Sequence, residues 1–441
     1  MQSRSADSSP GNLCARLRGG ADPRAAPPDI LREMVAFRLR VALISLLAAA
    51  SLRAALPVAE FQAHRAKVQK DLDGVLVLFG ATDSGEALEG FRQESNFYYL
   101  TGWTEPSAIL LLTAKQATLF LPRHNEHAER YEGRHLSAED ADAKARTGFD
   151  DVQPLEKFES DLAAALSTSA KVYALPSDAN YPKLKELAPL REIMDAQPLI
   201  AKARVIKSAA EIAEIQHATD VSVEAQRAAW KRMTPGAYEY QAEAAFAEVV
   251  YDRGCERFAY APIIGSGPNG AVLHYSADRR RMDAGEVVVM DAAAECSMYA
   301  SDITRTVPVD GHFTAHEREL YEIVLEAQKA GIAAVKPGVP FWEGDNSPDH
   351  AARAYIESKG YGKYFTHKIG HSVGIDVHDP PMPPAKLEAG MVITIEPGIY
   401  IPEQKIGIRI EDVVLVTETG ARVLSEALPR EPAEIEKAMA R

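Results

Sequence analysis

Cysteine is scarce in this chain. Three stand in 441 residues, Cys14, Cys255 and Cys296, and no CxxC pair occurs. That excludes a disulfide-framework domain and a paired-cysteine zinc site. Cys255 and Cys296 read as two small buried hydrophobes, a bridge between them being the other option. Positive charge is not clustered either. No Lys/Arg-rich run interrupts the body of the chain, and the formal net charge is -14. Nucleic acid is therefore not an expected partner. No low-complexity tract follows residue 57. What is present is an ordinary globular composition, 46% hydrophobic and 25% charged, in a chain long enough for two or three domains.

The N-terminus stands apart. Residues 1–33 are rich in Arg, Gly, Pro and Ser and have no apolar period, so a disordered leader is expected. Arg38 and Arg40 then precede an apolar run over 41–52 that ends in small residues. This is the layout of a secretory signal beginning at Met34 and cleaved between Ala50 and Ala55. The run is too short and small-sided for a stable membrane span. An exported product, periplasmic or secreted, is expected. A cytoplasmic chain and an Arg-rich organellar transit peptide are the alternatives.

From Pro57 onward the pattern is globular. Residues 58–71 read as a helix, 74–80 as a buried strand, and 108–113 with 117–122 as a hairpin. Helix-like and strand-like pieces alternate to about residue 197, so 56–200 is expected to be an α/β domain. A second domain, 201–441, opens on the capping box Ser208 to Glu211. Its first helix ends at Pro235-Gly236 and a second stops at Gly254. A second capping box, Thr314 to Glu317, starts another helix, and a further one covers about 349–359. Helix pair, strands, helix pair, strands suggests two similar halves.

The second domain places acids on strands. Residues 285–291 form an apolar strand ending in Asp291, and Asp302 heads the alternating run 302–308, sharing a face with Thr304 and Thr306. A hairpin would bring Asp291 and Asp302 together. The later half repeats this: Thr394 and Glu396 share one face of 391–396, and Gly407, Arg409 and Glu411 one face of 406–411. Carboxylates aimed into one site repel unless a cation or proton lies between them. Between the two acid pairs come His367, His371 and His378. The i, i+4 spacing of the first two resembles a helical zinc motif. Gly370 and Gly374 bracket His371, however, and no Glu sits where an HExxH motif needs one. One His beside four acids makes a mixed oxygen and nitrogen donor set, suited to two adjacent divalent ions such as Mn²⁺, Co²⁺ or Zn²⁺.

These residues resemble the pita-bread metallopeptidases, the family of aminopeptidase P, prolidase and methionine aminopeptidase. The likeness runs from about residue 58 to 430. It is strongest in 264–275, Met290 to Ala292, 302–306, 371–379, 395–398 and 409–412. The segment from Arg92 to Gly102, followed by Glu105-Pro106, is similar to the N-terminal domain of aminopeptidase P. The resemblance implies an α/β N-terminal domain joined to an α+β pita-bread catalytic domain of the creatinase/aminopeptidase kind. It implies two divalent ions, Mn²⁺ foremost, held by Asp291, Asp302, His371, Glu396 and Glu411. Glu396 is implied as proton acceptor and later donor. His274, His378 and Arg409 are implied to bind substrate or stabilise the tetrahedral intermediate, with His367 a further substrate-binding residue.

The implied activity is release of the N-terminal residue from peptides with Pro at position two, by a homo-oligomer. Prolidase activity on Xaa-Pro dipeptides is the alternative, and a noncatalytic peptide-binding module a further one. A metal-free amidinohydrolase of the creatinase kind would lack these ligands. Three positions depart from the usual family pattern: Ala293 after Asp291-Ala, Ser301 before Asp302, and Lys368 after His367. Lys368 reads as facing solvent, the alternative being a positive charge near the site.

Overall fold

A computed structural model describes residues 56–82, 90–381 and 385–440, which all belong to one compact unit. The leader and the signal-peptide reading fall outside the described residues.

The α/β domain expected from the sequence is built on one six-stranded sheet in the order β4-β3-β2-β1-β5-β6. Its strands are β1 (Val75–Phe79), β2 (Ile109–Leu112), β3 (Ala117–Leu121), β4 (Asp151–Pro154), β5 (Lys171–Ala174) and β6 (Glu192–Asp195). β1 to β3 form an antiparallel meander, and β5 adds parallel to β1. All five residues of β1 are buried, because both faces of the sheet are covered. Alternation sorts them: Leu76 and Leu78 join one hydrophobic cluster, and Val75, Val77 and Phe79 another with Phe158 and Leu162. The first cluster also takes in Phe61 of α1 (Val58–Asp71) and the core of α2 (Ser95–Thr101), including Tyr98 and Tyr99.

The second half follows α3 (Gln197–Arg204). It holds two helix pairs, α4 (Ala209–Trp230) with α5 (Glu239–Asp252), and α6 (Ala315–Ala334) with α7 (Pro348–Ser358). The capping boxes at Ser208 and Thr314 are both closed reciprocally, and they open α4 and α6. After α5 come β7 (Arg257–Phe258), β8 (Ile263–Ser266), β9 (Val287–Asp291), β10 (Ala294–Cys296), β11 (Tyr299–Ala300) and β12 (Thr304–Pro308). After α7 come β13 (Val392–Ile395), β14 (Gly398–Ile401), β15 (Ile406–Arg409), β16 (Asp412–Val416) and β17 (Ala421–Val423). Each half thus carries a helix pair and a three-stranded antiparallel sheet, β12-β9-β8 and β13-β16-β17. Arg305 stitches the halves together. Fully buried in β12, it donates to Asp412 Oδ1 at 2.7 Å and to the Leu428 carbonyl at 3.1 Å.

The expectation for the cysteines is corrected. Cys255 and Cys296 are joined as a disulfide with a Cα–Cα distance of 4.4 Å. Pairing of β7 with β10 sets Glu295 opposite Arg257, so the two cysteines, 41 residues apart in sequence, meet next to that register. Nothing in their spacing announces this.

Charged contacts lock the N-terminal domain to the second half. Arg92 donates to Glu295 Oε2 at 2.9 Å and to the Ile375 carbonyl at 3.0 Å. Arg204, buried at the end of α3, pairs with Asp376 and Asp379 at 2.7 and 2.6 Å, and Lys207 adds 2.9 Å to Asp379. These contacts anchor the loop that carries His371 and His378.

Candidate active site and metal centre

The acids sit where strands end. Asp291 is the last residue of β9, Asp302 precedes β12, Glu396 follows β13, and Glu411 lies between β15 and β16. At a strand end the backbone leaves the ladder, and a side chain there turns into the space between sheets. Two details differ from the sequence reading. β9 and β12 do pair, with Thr304 opposite Asp291, but the β10–β11 hairpin is inserted between them. The run 406–411 is not one strand: β15 pairs with β14 and β16 with β13. Glu411 occupies the break.

His371 is fixed by its backbone. Its N–H donates to Thr394 Oγ1 at 3.0 Å, and its carbonyl accepts from Thr394 N at 2.8 Å. A Cβ on Gly370 would collide with the Thr394 carbonyl, which is why glycine precedes this histidine. The Nδ1 atom of His371 lies 3.1 Å from the Ser372 carbonyl and is assigned as the donor, which leaves Nε2 toward the acids. Nε2 is 3.3 Å from Asp302 Oδ2 and 3.5 Å from Glu396 Oε1. Donor atoms of Asp302, His371 and Glu411 all lie within 4.8 Å of one another. Asp291 and Glu396 line the same cavity of about 550 Å³.

The electrostatics are those of crowded, dry carboxylates. Burial and then the Asp302 charge hold Glu411 well above the usual carboxylate range. Burial lifts Glu396 to about 7, and it raises Asp291 despite the Arg409 guanidinium beside it. Burial works against a charged His371, but its hydrogen bond to Asp302 and the nearby acids carry it up to about 9. Protonation is one way to relieve this repulsion, and a bound cation is the other. Four carboxylates and one imidazole Nε2 form a donor set that fits a borderline-hard divalent ion.

The remaining sequence-derived residues gather on the same cavity. His274 lines it, and the His378 ring stands edge-on to His371 with centroids 4.3 Å apart. Burial lowers the pKa of His378. Arg409 donates to Asp291 Oδ2 at 2.7 Å, to the Tyr400 hydroxyl at 2.9 Å and to Thr304 Oγ1 at 3.1 Å. His367 closes this chain, its Nε2 2.9 Å from the same hydroxyl and its Nδ1 2.8 Å from the Lys368 carbonyl. Burial and the Arg409 charge lower its pKa to about 4, so its ring is neutral.

The metallopeptidase family M24 pattern matches residues 213–418, and the aminopeptidase P N-terminal domain pattern matches 61–173. The Xaa-Pro aminopeptidase of Haemophilus influenzae is 34% identical over 425 residues, spanning 88% of this chain and 98% of its own. The chain belongs to the metallopeptidase family M24. A solved variant of Escherichia coli aminopeptidase P superposes with a TM-score of 0.79 at 29% identity, covering 88% of this chain and 99% of its own. The α+β half is thus of the pita-bread kind. The Xaa-Pro dipeptidase of Pyrococcus horikoshii is 36% identical over 340 residues, 75% of this chain and 90% of its own. As an M24 metallopeptidase the protein is a hydrolase that uses divalent metal.

Some residues of this M24 site escaped the sequence reading. Tyr260 donates its hydroxyl to Asp291 Oδ1 at 2.5 Å, and Tyr400 joins His367 to Arg409. Tyr260 sits in a loop with no pattern around it. Thr304 and Thr394 were visible as face-mates of Asp302 and Glu396, and both hydrogen-bond to acids, Glu411 at 2.7 Å and Glu396 at 3.3 Å. Of the departures from the family pattern, Ser301 packs its hydroxyl 2.9 Å from that of Thr219 in the core. Lys368 is exposed as expected, yet it also lines the cavity.

Proposed function

We propose that this chain hydrolyses the bond between an N-terminal residue and a following proline, releasing that residue from peptides. The observation that carries the reading is the convergence of Asp291, Asp302, His371, Glu396 and Glu411 on one cavity that His274, His378 and Arg409 also line. The aminopeptidase P type of N-terminal domain, fixed to the catalytic half by the Arg92 and Arg204 contacts, favours this over a simple dipeptidase.

Those five residues would hold the metal. Bound there, two divalent ions supply Lewis acidity and an activated water at neutral pH. The protein's own groups do the rest. Glu396 takes a proton from the attacking water and delivers it to the departing proline nitrogen, so proton count balances across the cycle. His378, kept neutral by burial, offers an N–H to the oxygen that gains charge. Arg409 spends three of its five N–H groups on Asp291, Tyr400 and Thr304. It therefore orients Asp291 and still has N–H groups for substrate.

Mn²⁺ is the proposed native ion, with Co²⁺ or Zn²⁺ as substitutes. Export through the 34–55 signal is also proposed, and the Cys255–Cys296 disulfide supports an oxidising destination. A homo-oligomer is proposed on the resemblance alone, and light scattering of the purified protein reads it.

Turnover by Mn²⁺-loaded protein decides the substrate class. Release of the first residue from Xaa-Pro-Yaa tripeptides and longer peptides is expected. Cleavage of Xaa-Pro dipeptides alone would make it a prolidase instead, the activity named for the Pyrococcus horikoshii relative. Peptide binding with no cleavage of either would leave a binding module.

A further inference from the structure

Lys368 is a cation at the catalytic cavity that the proposed chemistry does not use. Its side chain is exposed and lines the catalytic cavity. The ammonium lies over the Trp342 ring, 5.6 Å from the centroid. Trp342 lines the cavity too, and its indole N–H donates to the Gly370 carbonyl at 2.9 Å. The ring under Lys368 is thus tied to the backbone beside His371. A cation over an aromatic face is steered without losing its N–H donors. Two permanent cations among the described residues line this cavity. Arg409 is committed to Asp291, whereas no carboxylate among the described residues pairs with Lys368.

What such a cation meets follows from the direction of the substrate, and here the inference rests on the proposed aminopeptidase reading. An N-terminal exopeptidase holds the amine end at the acids, so the carboxyl end points toward the mouth. Lys368 directly follows His367, whose Nδ1 is 4.0 Å from Glu396 Oε2. An extended tripeptide spans only about 10 Å. The ammonium is therefore in range of the second or third residue, not of a distant tail.

We propose that Lys368, steered by Trp342, is a specificity-determining residue that captures a carboxylate on the leaving side of the substrate. Two sources present that group: the free C-terminus of a short Xaa-Pro-Yaa peptide, or an Asp or Glu side chain at the third position. An exposed ion pair of this kind is worth roughly fivefold in affinity, and salt weakens it.

The test compares, within each protein, kcat/KM for an Xaa-Pro-Yaa free acid against its C-terminal amide, and for Xaa-Pro-Glu-amide against Xaa-Pro-Gln-amide. The proteins are wild type, Lys368→Met, Lys368→Arg and Lys368→Glu, with melting temperature and metal content as folding controls. In wild type, a ratio of about five that shrinks in high salt is expected for at least one pair, and which pair responds identifies the source. Lys368→Arg should keep the ratio, Lys368→Met bring it near one, and Lys368→Glu invert it. Calorimetric binding of a Pro-Yaa free acid and its amide to the same proteins gives the same comparison without turnover. Equal ratios in wild type and Lys368→Met, in both turnover and binding, would overturn the proposal. Failure of wild type to cleave any Xaa-Pro-Yaa peptide is a different result. It overturns the aminopeptidase reading, and the binding ratios still judge Lys368.

Discussion

Asp302 is held by the His371 ring and Glu411 by the Thr304 hydroxyl, so neither carboxylate has a permanent cation in direct contact among the described residues. Asp302 is central to the proposed donor set, so Asp302→Ala should lose most bound metal and about a hundredfold in kcat/KM, read by metal analysis alongside peptide turnover. Metal removal has a pH signature. Glu396, Glu411 and Asp291 have folded pKa values above their unfolded ones. Groups raised in this way stabilise the fold below the unfolded carboxylate range near pH 4, and that stability is lost as pH rises through the folded values, about 7 for Glu396. Chelator-stripped protein should therefore melt higher at pH 5.5 than at pH 7.5, whereas metal-loaded protein should show no such gain on acidification. Identical pH trends for the two forms would contradict metal binding at these acids. At this scale the acids were legible from strand faces. The choice of His371 over His367 and His378 needed the family likeness. Tyr260 was invisible because a single loop tyrosine carries no periodicity.

Elements formed where local chemistry demanded them. The boxes at Ser208 and Thr314 start α4 and α6 because each satisfies otherwise unpaired N–H groups with its own side chains. The helix expected over 58–71 is α1 to the residue. Strand connectivity was less legible, since a run such as 406–411 alternates correctly whether it pairs with one partner or two. The disulfide belongs to this scale as well, because it ties the chain just after α5 to β10. It closes a loop of 41 residues, for which chain entropy predicts about 4 kcal/mol. A Cys255→Ala/Cys296→Ala variant should unfold at clearly lower urea concentration than wild type, with a slope equal or steeper because the unfolded chain is less constrained. An unchanged midpoint would show that the bridge contributes nothing to stability.

At the scale of the whole molecule, Arg204 donates to Asn96 Oδ1 of the N-terminal domain at 2.8 Å, and its cluster with Lys207, Asp376 and Asp379 couples that domain to the active-site loop. Burial disfavours the Asp379 carboxylate, but Arg204 and Lys207 outweigh it and hold its pKa below the usual value. A depressed folded pKa means the contact stabilises above the unfolded value near 4 and is lost only as pH falls through the lower folded value. Asp379→Asn leaves Lys207 without a carboxylate partner and Arg204 with Asp376 alone, and should destabilise by about 3 kcal/mol at neutral pH. The same variant should blunt the acid limb below pH 4, as read by thermal melts across pH. Equal stability of variant and wild type at pH 7 would remove the cluster as the tie between the domains.

Periodicity, caps and strand-end acids act over a few residues, and those the sequence alone determined: two mixed domains, the positions of most helices, and four acids with a histidine nearby. Which strands pair, which cysteines meet, that Lys368 lies over Trp342, and that Arg204 joins Asn96 of one domain to Asp379 of the other were decided by tertiary structure. Each depends on where the chain returns after tens to hundreds of residues, and no local pattern records that path.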